Sequence, residues 1–139
     1  FLQGISGNEI FNANRIWNEA MAVAQNQTVE TLDRWQGEGT SNTMPRAVFN
    51  DPNKNTRAAD RYIEDGSYLR VKNITLGYTL PATLTEKISV SRARIYASAQ
   101  NLFTFTQYQG FDPEVGFDGI DNSNYPVNRT VSVGINLGF

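Results

Sequence analysis

The ten residues Thr130–Phe139 read TVSVGINLGF. Val131, Val133, Ile135, Leu137 and Phe139 fall on one parity; Ser132, Gly134, Asn136 and Gly138 fall on the other. A period of two marks a β-strand with two unlike faces. The polar side carries no Lys, Arg, Asp or Glu. In a soluble sandwich the side turned from the core is usually charged or bulky polar. An uncharged polar side fits the crowded lumen of a membrane barrel, with the apolar side against lipid. About ten residues is also the length a tilted strand needs to cross a bilayer.

Two further stretches carry the same pattern. In Ser67–Pro81, Ile74, Leu76, Tyr78 and Leu80 alternate with Thr75, Gly77 and Thr79, and no charge lies between Ile74 and Pro81. Leu69 and Val71 sit on the opposite phase, a slip that a bulge near Lys72-Asn73 explains. In Arg92–Thr106, Ile95, Ala97, Ala99, Phe103 and Phe105 are read on one face with Asn101, and Tyr96, Ser98, Gln100 and Thr104 on the other. Strands are expected at about 68–81, 92–106 and 129–139. A short connector follows Pro81, and a long loop spans 107–128. Short turns on one side and long loops on the other are the asymmetry of outer-membrane barrels. Three strands cannot close a barrel, since the smallest have about eight. The chain therefore reads as a piece of a longer one, or a processed one.

Residues 1–67 are expected to hold a strand end, a short helix and a long loop. Ile10, Phe11, Ile16, Trp17, Ala20, Met21 and Ala24 recur at spacings near three and four, which suggests a helix within 8–25 capped by Asn8. Residues 26–67 are polar and rich in turn residues, with Trp35 and Phe49 as apolar anchors. A loop of that length is usually functional or disordered. The 139 residues contain no Cys and no His. That excludes disulfide frameworks, zinc fingers, imidazole bases and Ser-His-Asp triads. A formal charge of −2 gives no electrostatic footprint for nucleic acid. The longest apolar run, Ala20–Ala24, is far shorter than the ~20 residues of a membrane-spanning helix.

DRYIEDGSYLRVKNITLGYTLP (60–81), RIYASAQNLFTFTQYQGFDPEVG (94–116) and SVGINLGF (132–139) resemble the C-terminal end of SusC/RagA-type TonB-dependent outer-membrane transporters of Bacteroidetes. DRWQGEGTSNTMPRA (33–47) is similar to the family's preceding loop. The resemblance implies an all-β fold, the last antiparallel strands of a 22-stranded transmembrane β-barrel with long extracellular loops. It implies a Gram-negative outer-membrane location, import of glycans or peptides, a SusD-like surface lipoprotein as partner, and TonB engaged through an N-terminal part. It implies no enzyme activity and no cofactor. It also makes Val133, Ile135, Leu137 and Phe139 a candidate signal for the barrel-assembly machinery. An amphipathic strand can add to a sheet edge through main-chain hydrogen bonds.

Trp35, Tyr108, Phe111, Phe117 and Tyr125 are candidate contacts for sugar rings or the lid protein, or else pack their loops. Asp112, with Glu114, Asp118 and Asp121, has the composition of a calcium loop without the EF-hand spacing, so turn formation is the reading and no metal is assigned. Asp112 and Glu114 as a glycosidase pair would need carboxyls ~5–10 Å apart across a cleft. A self-contained soluble β-domain that binds carbohydrate through its aromatic loops is the alternative function. It requires Ile74, Leu76, Val133, Ile135 and Leu137 to be sealed in a two-sheet core.

Overall fold

The computed structural model describes residues 1–19 and 26–139. In chain order the strands are β1 (Leu2–Ile5), β2 (Glu9–Asn12), β3 (Ile63–Asp65), β4 (Tyr68–Thr79), β5 (Arg92–Thr106), β6 (Ile120–Asp121) and β7 (Thr130–Gly138). Helices are short: α1 (Ala13–Asn18), α2 (Ala82–Thr85) and 3-10 turns at Val29–Asp33, Asp60–Tyr62 and Glu86–Ile88. Two compact units form, each discontinuous in sequence. One comprises Phe1–Ser6, Tyr68–Thr106 and Val127–Phe139; the other comprises Gly7–Ser67 and Gln107–Pro126.

The first unit is an antiparallel sheet in the order β1-β4-β5-β7. Its cross-strand rows are homogeneous. Ile74–Ala99–Val131, Leu76–Ala97–Val133 and Tyr78–Ile95–Ile135 are directly opposed, with Ala93–Leu137 below them. Thr75–Ser98–Ser132, Gly77–Tyr96–Gly134 and Thr79–Arg94–Asn136 occupy the reverse side. Alternation along three strands thus becomes one apolar and one polar face of a single sheet. Two glycines serve the polar face. A Cβ at Gly134 would run into the Tyr96 ring, and one at Gly77 would lie 2.6 Å from Arg94 Nη2. Both long side chains lie down over backbone that has no side chain of its own.

The register shifts once, between Val71/Phe103 and Asn73/Gln100. Asn101 and Leu102 together oppose Lys72, so between these two strands the extra residue is on β5. Asn101 has φ 51°, the left-handed region that Asn tolerates better than most residues. Its Nδ2 donates to Asn128 O at 3.1 Å, tying β5 to the approach to β7. Strand β4 breaks its alternation here, as the phase slip in the sequence indicates. The N–H groups of Lys72 and Asn73 both donate to Phe1 O, at 3.0 and 3.2 Å, the bonding pattern of a β-bulge at Lys72-Asn73. Leu69 and Val71, with their partners Phe105 and Phe103, thereby rejoin the side of Ile74 and Ala99. The Arg129 guanidinium, on the parity of Val131, lies 6.0 Å from the Phe103 ring centre. Leu69, Phe103 and Phe105 are exposed like Ile74 and Leu76, while Tyr68 and Arg70 on the reverse side are buried. Gln3 Nε2 donates to the Tyr68 hydroxyl at 2.9 Å, and Arg70 Nε donates to Thr104 Oγ1 at 2.8 Å.

The second unit has a small sheet, β3-β2-β6, with β2 antiparallel to β3 and parallel to β6. Ile10 and Tyr62 are fully buried at its centre, and the Phe11 ring meets Tyr62 edge-on at 6.3 Å. Residues 9–12 are therefore extended and not the start of a helix. Ile10 is buried by strand pairing with Glu64, which overrides the helical spacing. Helix α1 begins only at Ala13, preceded by Asn12, which makes no side-chain cap, and Trp17 is exposed. Ala20, Met21 and Ala24 lie outside the described residues.

The long segment 26–67 is ordered by local polar chemistry more than by apolar burial. Thr31, Thr40, Ser41 and Asp51 each bond backbone a few residues away. Trp35 N–H donates to Met44 O and closes the loop between them.

Substituting Asn101 by Val or by Gly removes the same bond to Asn128, so the difference between the two isolates the backbone conformation. In the full receptor, Asn101→Val is expected to unfold in denaturant with about 1–2 kcal/mol less stability than Asn101→Gly.

Candidate functional site

Two features of the molecule carry functional meaning: the apolar face of the four-stranded sheet and the loop surfaces of the second unit. On the sheet, no second layer covers the apolar rows among the described residues. Leu76 is 73% exposed and Val133 75%. Ile74, Tyr78, Ile95, Val131, Ile135, Leu137 and Phe139 are exposed as well. A contiguous apolar area of this kind marks contact with lipid or with another protein. From Val131 to Leu137 the band runs roughly 20 Å along the strand, at ~3.3 Å per residue. Below it, residues 80–91 make a tight connector in which Thr85 and Val90 are buried, against the buried Ala93 of β5. Leu80 N–H donates to Ala93 O, and Ser91 N–H donates to Gly138 O.

In the second unit an ion network joins residues distant in sequence. Arg15 Nε meets Glu19 Oε1 at 2.7 Å, Arg15 Nη1 meets Glu64 Oε1 at 3.1 Å, and Arg61 Nη2 meets Glu19 Oε2 at 2.9 Å. Burial disfavours the Arg15 charge, but Glu19 and Glu64 outweigh it and hold the guanidinium above its ordinary value. This network was not foreseen from the sequence, because its members share no motif or spacing.

The aromatic candidates separate by environment. Tyr108 is buried and its hydroxyl donates to Asp121 Oδ2 at 2.6 Å. Burial first, and then the Asp121 carboxylate, push this hydroxyl far above the usual tyrosine range, so it stays a donor. A Cβ at Gly110 would collide with the Tyr108 ring, which is why the ring can fold back over its own loop. Phe111, Phe117 and Tyr125 are exposed. Phe111 borders a cleft of about 460 Å³ with Asn12, Arg15, Glu19 and Thr28.

Asp112, Asp118 and Asp121 each close a turn. Asp112 Oδ1 accepts from Glu114 N–H at 2.9 Å, and Asp121 Oδ1 accepts from Ser123 N–H at 3.0 Å. Among the described residues no three carboxylates converge on a metal position.

Trp35, 37% exposed, lines a second and larger cleft of about 600 Å³. Arg46, Lys54, Arg57 and Arg61 share it. The turn beneath Lys54 is held by Asp51, whose carboxylate accepts from the N–H groups of Asn55 and Thr56 and from the Thr56 hydroxyl, each at 2.9 Å. Burial by itself raises the Asp51 carboxyl; these donors and the nearby Arg57 charge overcome it and hold it below the ordinary 3.8.

No protein-family model matches the chain. Over its full length it is 35% identical to TonB-dependent receptor P3 of Formosa agariphila and spans 14% of that protein. It is 31% identical to TonB-dependent receptor P26 of the same organism, again over its full length and over 15% of that protein. It is 34% identical, over 84% of its residues, to TonB-dependent receptor SusC of Bacteroides thetaiotaomicron, spanning 12% of it. Among solved structures, the RagAB peptide importer in its open-open state matches 99% of the chain and 15% of the solved chain. That match has a TM-score of 0.84 and 29% identity. The chain thus spans about one seventh of these relatives.

A carboxyl whose folded pKa is lowered stabilises above its ordinary value and stops doing so as pH falls through the folded one. Amide protection at Asn55 and Thr56, corrected for intrinsic exchange rate, is expected to persist near neutrality and to decline only below pH 3.8. Asp51→Asn is expected to lower protection at neutral pH and abolish its pH dependence.

Proposed function

We infer that this chain, a segment of a TonB-dependent receptor of the SusC and RagA type, supplies neighbouring strands of an outer-membrane β-barrel that imports glycans or peptides. Strands β4, β5 and β7 cross the membrane with Ile74, Leu76, Tyr78, Ile95, Val131, Val133, Ile135 and Leu137 against lipid. Thr75, Gly77, Tyr96, Ser98, Ser132 and Gly134 face the lumen. The connector after Pro81 is periplasmic, and the second unit is extracellular. Function here is binding and passage, with no bond made or broken.

The observation that carries this reading is the pair of homogeneous faces. A self-contained soluble β-domain would bury the apolar rows between layers, yet they are exposed together on a single sheet. In lipid each backbone polar group needs an internal partner, and a closed, fully paired sheet provides it. A sheet ending at β1 and β7 needs further strands to do so.

The partners follow from the same assignment. A SusD-like lipoprotein would meet the extracellular loops, where the exposed Trp35, Phe111, Phe117 and Tyr125 are the contact candidates, while the buried Tyr108 and Asp112 hold their loop in shape. TonB would act through another part of the receptor. Val133, Ile135, Leu137 and Phe139 would present the face read during barrel assembly.

Val133→Arg and Ser132→Arg, made separately in the full receptor, test the assignment. A cation on the lipid side near mid-membrane costs about 2–4 kcal/mol, whereas lumen positions tolerate it. Val133→Arg is expected to deplete the heat-modifiable folded barrel in outer membranes while Ser132→Arg leaves it near wild type. Equal effects, or a folded water-soluble receptor, would overturn the reading.

A further inference from the structure

We propose that the cleft lined by Trp35, Arg46, Lys54 and Arg57 is a binding site for an anionic saccharide. The proposal rests on the second unit being extracellular in an importer, and it adds the class of ligand and the residues that recognise it.

Charge is the first argument. The chain as a whole is −2, yet four cationic side chains border one cleft and none of its lining residues is acidic. Arg61 is ion-paired to Glu19. Arg46, Lys54 and Arg57 have no ion pair among the described residues, and all three are exposed. Asp51 accepts from donors of its own turn and feels the Arg57 charge, but it ion-pairs with none of the three. Cations gathered in excess of counter-charge repel, and a bound anion relieves that repulsion. Guanidinium groups bind carboxylate and sulfate through paired N–H donors.

Placement is the second. Asn50, Asp51 and Lys54 have φ values of 64°, 40° and 54°. Lys in this region is held only where its surroundings impose it, and such strain gathers at ligand sites. The Asp51 clamp is what imposes it. Arg57 Nε donates to Lys54 O at 2.9 Å, which fixes the two cations in one turn. Across the cleft the Arg46 guanidinium lies 5.9 Å from the Trp35 ring centre, a cation–π contact that keeps it extended.

Ligand class is the third. The half-exposed indole offers a flat surface to the C–H face of a sugar ring, and Ser41, Asn42 and Asn55 offer hydroxyl and amide partners. Arg clusters also bind acidic peptide motifs, whereas other peptide modes use strand addition or a helix groove. Residues 35–46 and 54–59 contain no strand or helix to accept either of those. The indole beside the cations favours a sugar ring over an acidic side chain, and oligoglutamate is the probe that separates the two. A volume of about 600 Å³ suits a short oligosaccharide.

The experiment is titration calorimetry on the full-length receptor in detergent with four probes of similar length: an oligouronate, a sulfated oligosaccharide, a neutral oligosaccharide and oligoglutamate. Binding of either anionic saccharide, at least tenfold tighter than the neutral one and weakened by salt, is expected. The two anionic arms distinguish carboxylate from sulfate. Arg57→Gln and Lys54→Gln are each expected to weaken it about tenfold, the scale of one charge-assisted contact. Equal affinity for the neutral probe, preference for oligoglutamate, or unchanged affinity in both variants would overturn the proposal. These outcomes are separable from failure of the transporter assignment. A wrong cleft leaves a folded barrel in the outer membrane without anion preference, whereas a wrong assignment leaves no such barrel.

Discussion

A β-strand sends successive side chains to opposite sides, and neighbouring strands in register must agree on which side is which. That agreement organises the four-stranded sheet. Ala97 stands between Leu76 and Val133, and Ser98 between Thr75 and Ser132, so chemistry is sorted by row across strands. Ala97 and Ala99 on β5 sit between larger residues on β4 and β7 on the apolar side. On the polar side the relation reverses, with Tyr96 between two glycines. Neither face has a covering layer within its unit, which is the physical basis for assigning lipid to one side and a lumen to the other.

The second unit solves a different problem. It has little apolar material to bury, and its fully buried side chains include Arg70's counterparts in polarity, Asn12 and Asp121, beside Ile10 and Tyr62. Order comes from polar groups closing turns on nearby backbone, and from Arg15, Glu19, Arg61 and Glu64 linking segments far apart in sequence. Such a unit can present exposed aromatics and unpaired cations because its shape does not depend on burying them. This is how loops on a rigid scaffold commonly carry recognition.

Much of the sheet was legible in the sequence. Strict alternation without charge in 130–139 and 74–80 identified the strands and the two faces, because period two has few other causes. The bulge was legible only as a phase slip. The slip of Leu69 and Val71 against Ile74 located the break at Lys72-Asn73, where both N–H groups meet Phe1 O; the extra residue on β5 left no such slip in its own strand. Asn101 was the available clue, as a residue that accepts positive φ. The helix within 8–25 failed over 8–12 because tertiary pairing of Ile10 with Glu64 outweighed a helical spacing. Of the loop candidates, Trp35 was legible as a lone aromatic in a polar segment. Arg46, Lys54 and Arg57 were not, because their grouping depends on the Asp51 turn.

The extra residue at Asn101 also fixes how this stretch of sequence can change length. Between the bulge and the connector, a single-residue insertion or deletion in any one strand would exchange its greasy and wet sides while its neighbours kept theirs. Only paired changes, or changes made in the loops, preserve the sorting. Length variation among related chains should therefore collect at the loops and at this one irregularity, with the ladder between Asn73 and Tyr78 kept constant in count.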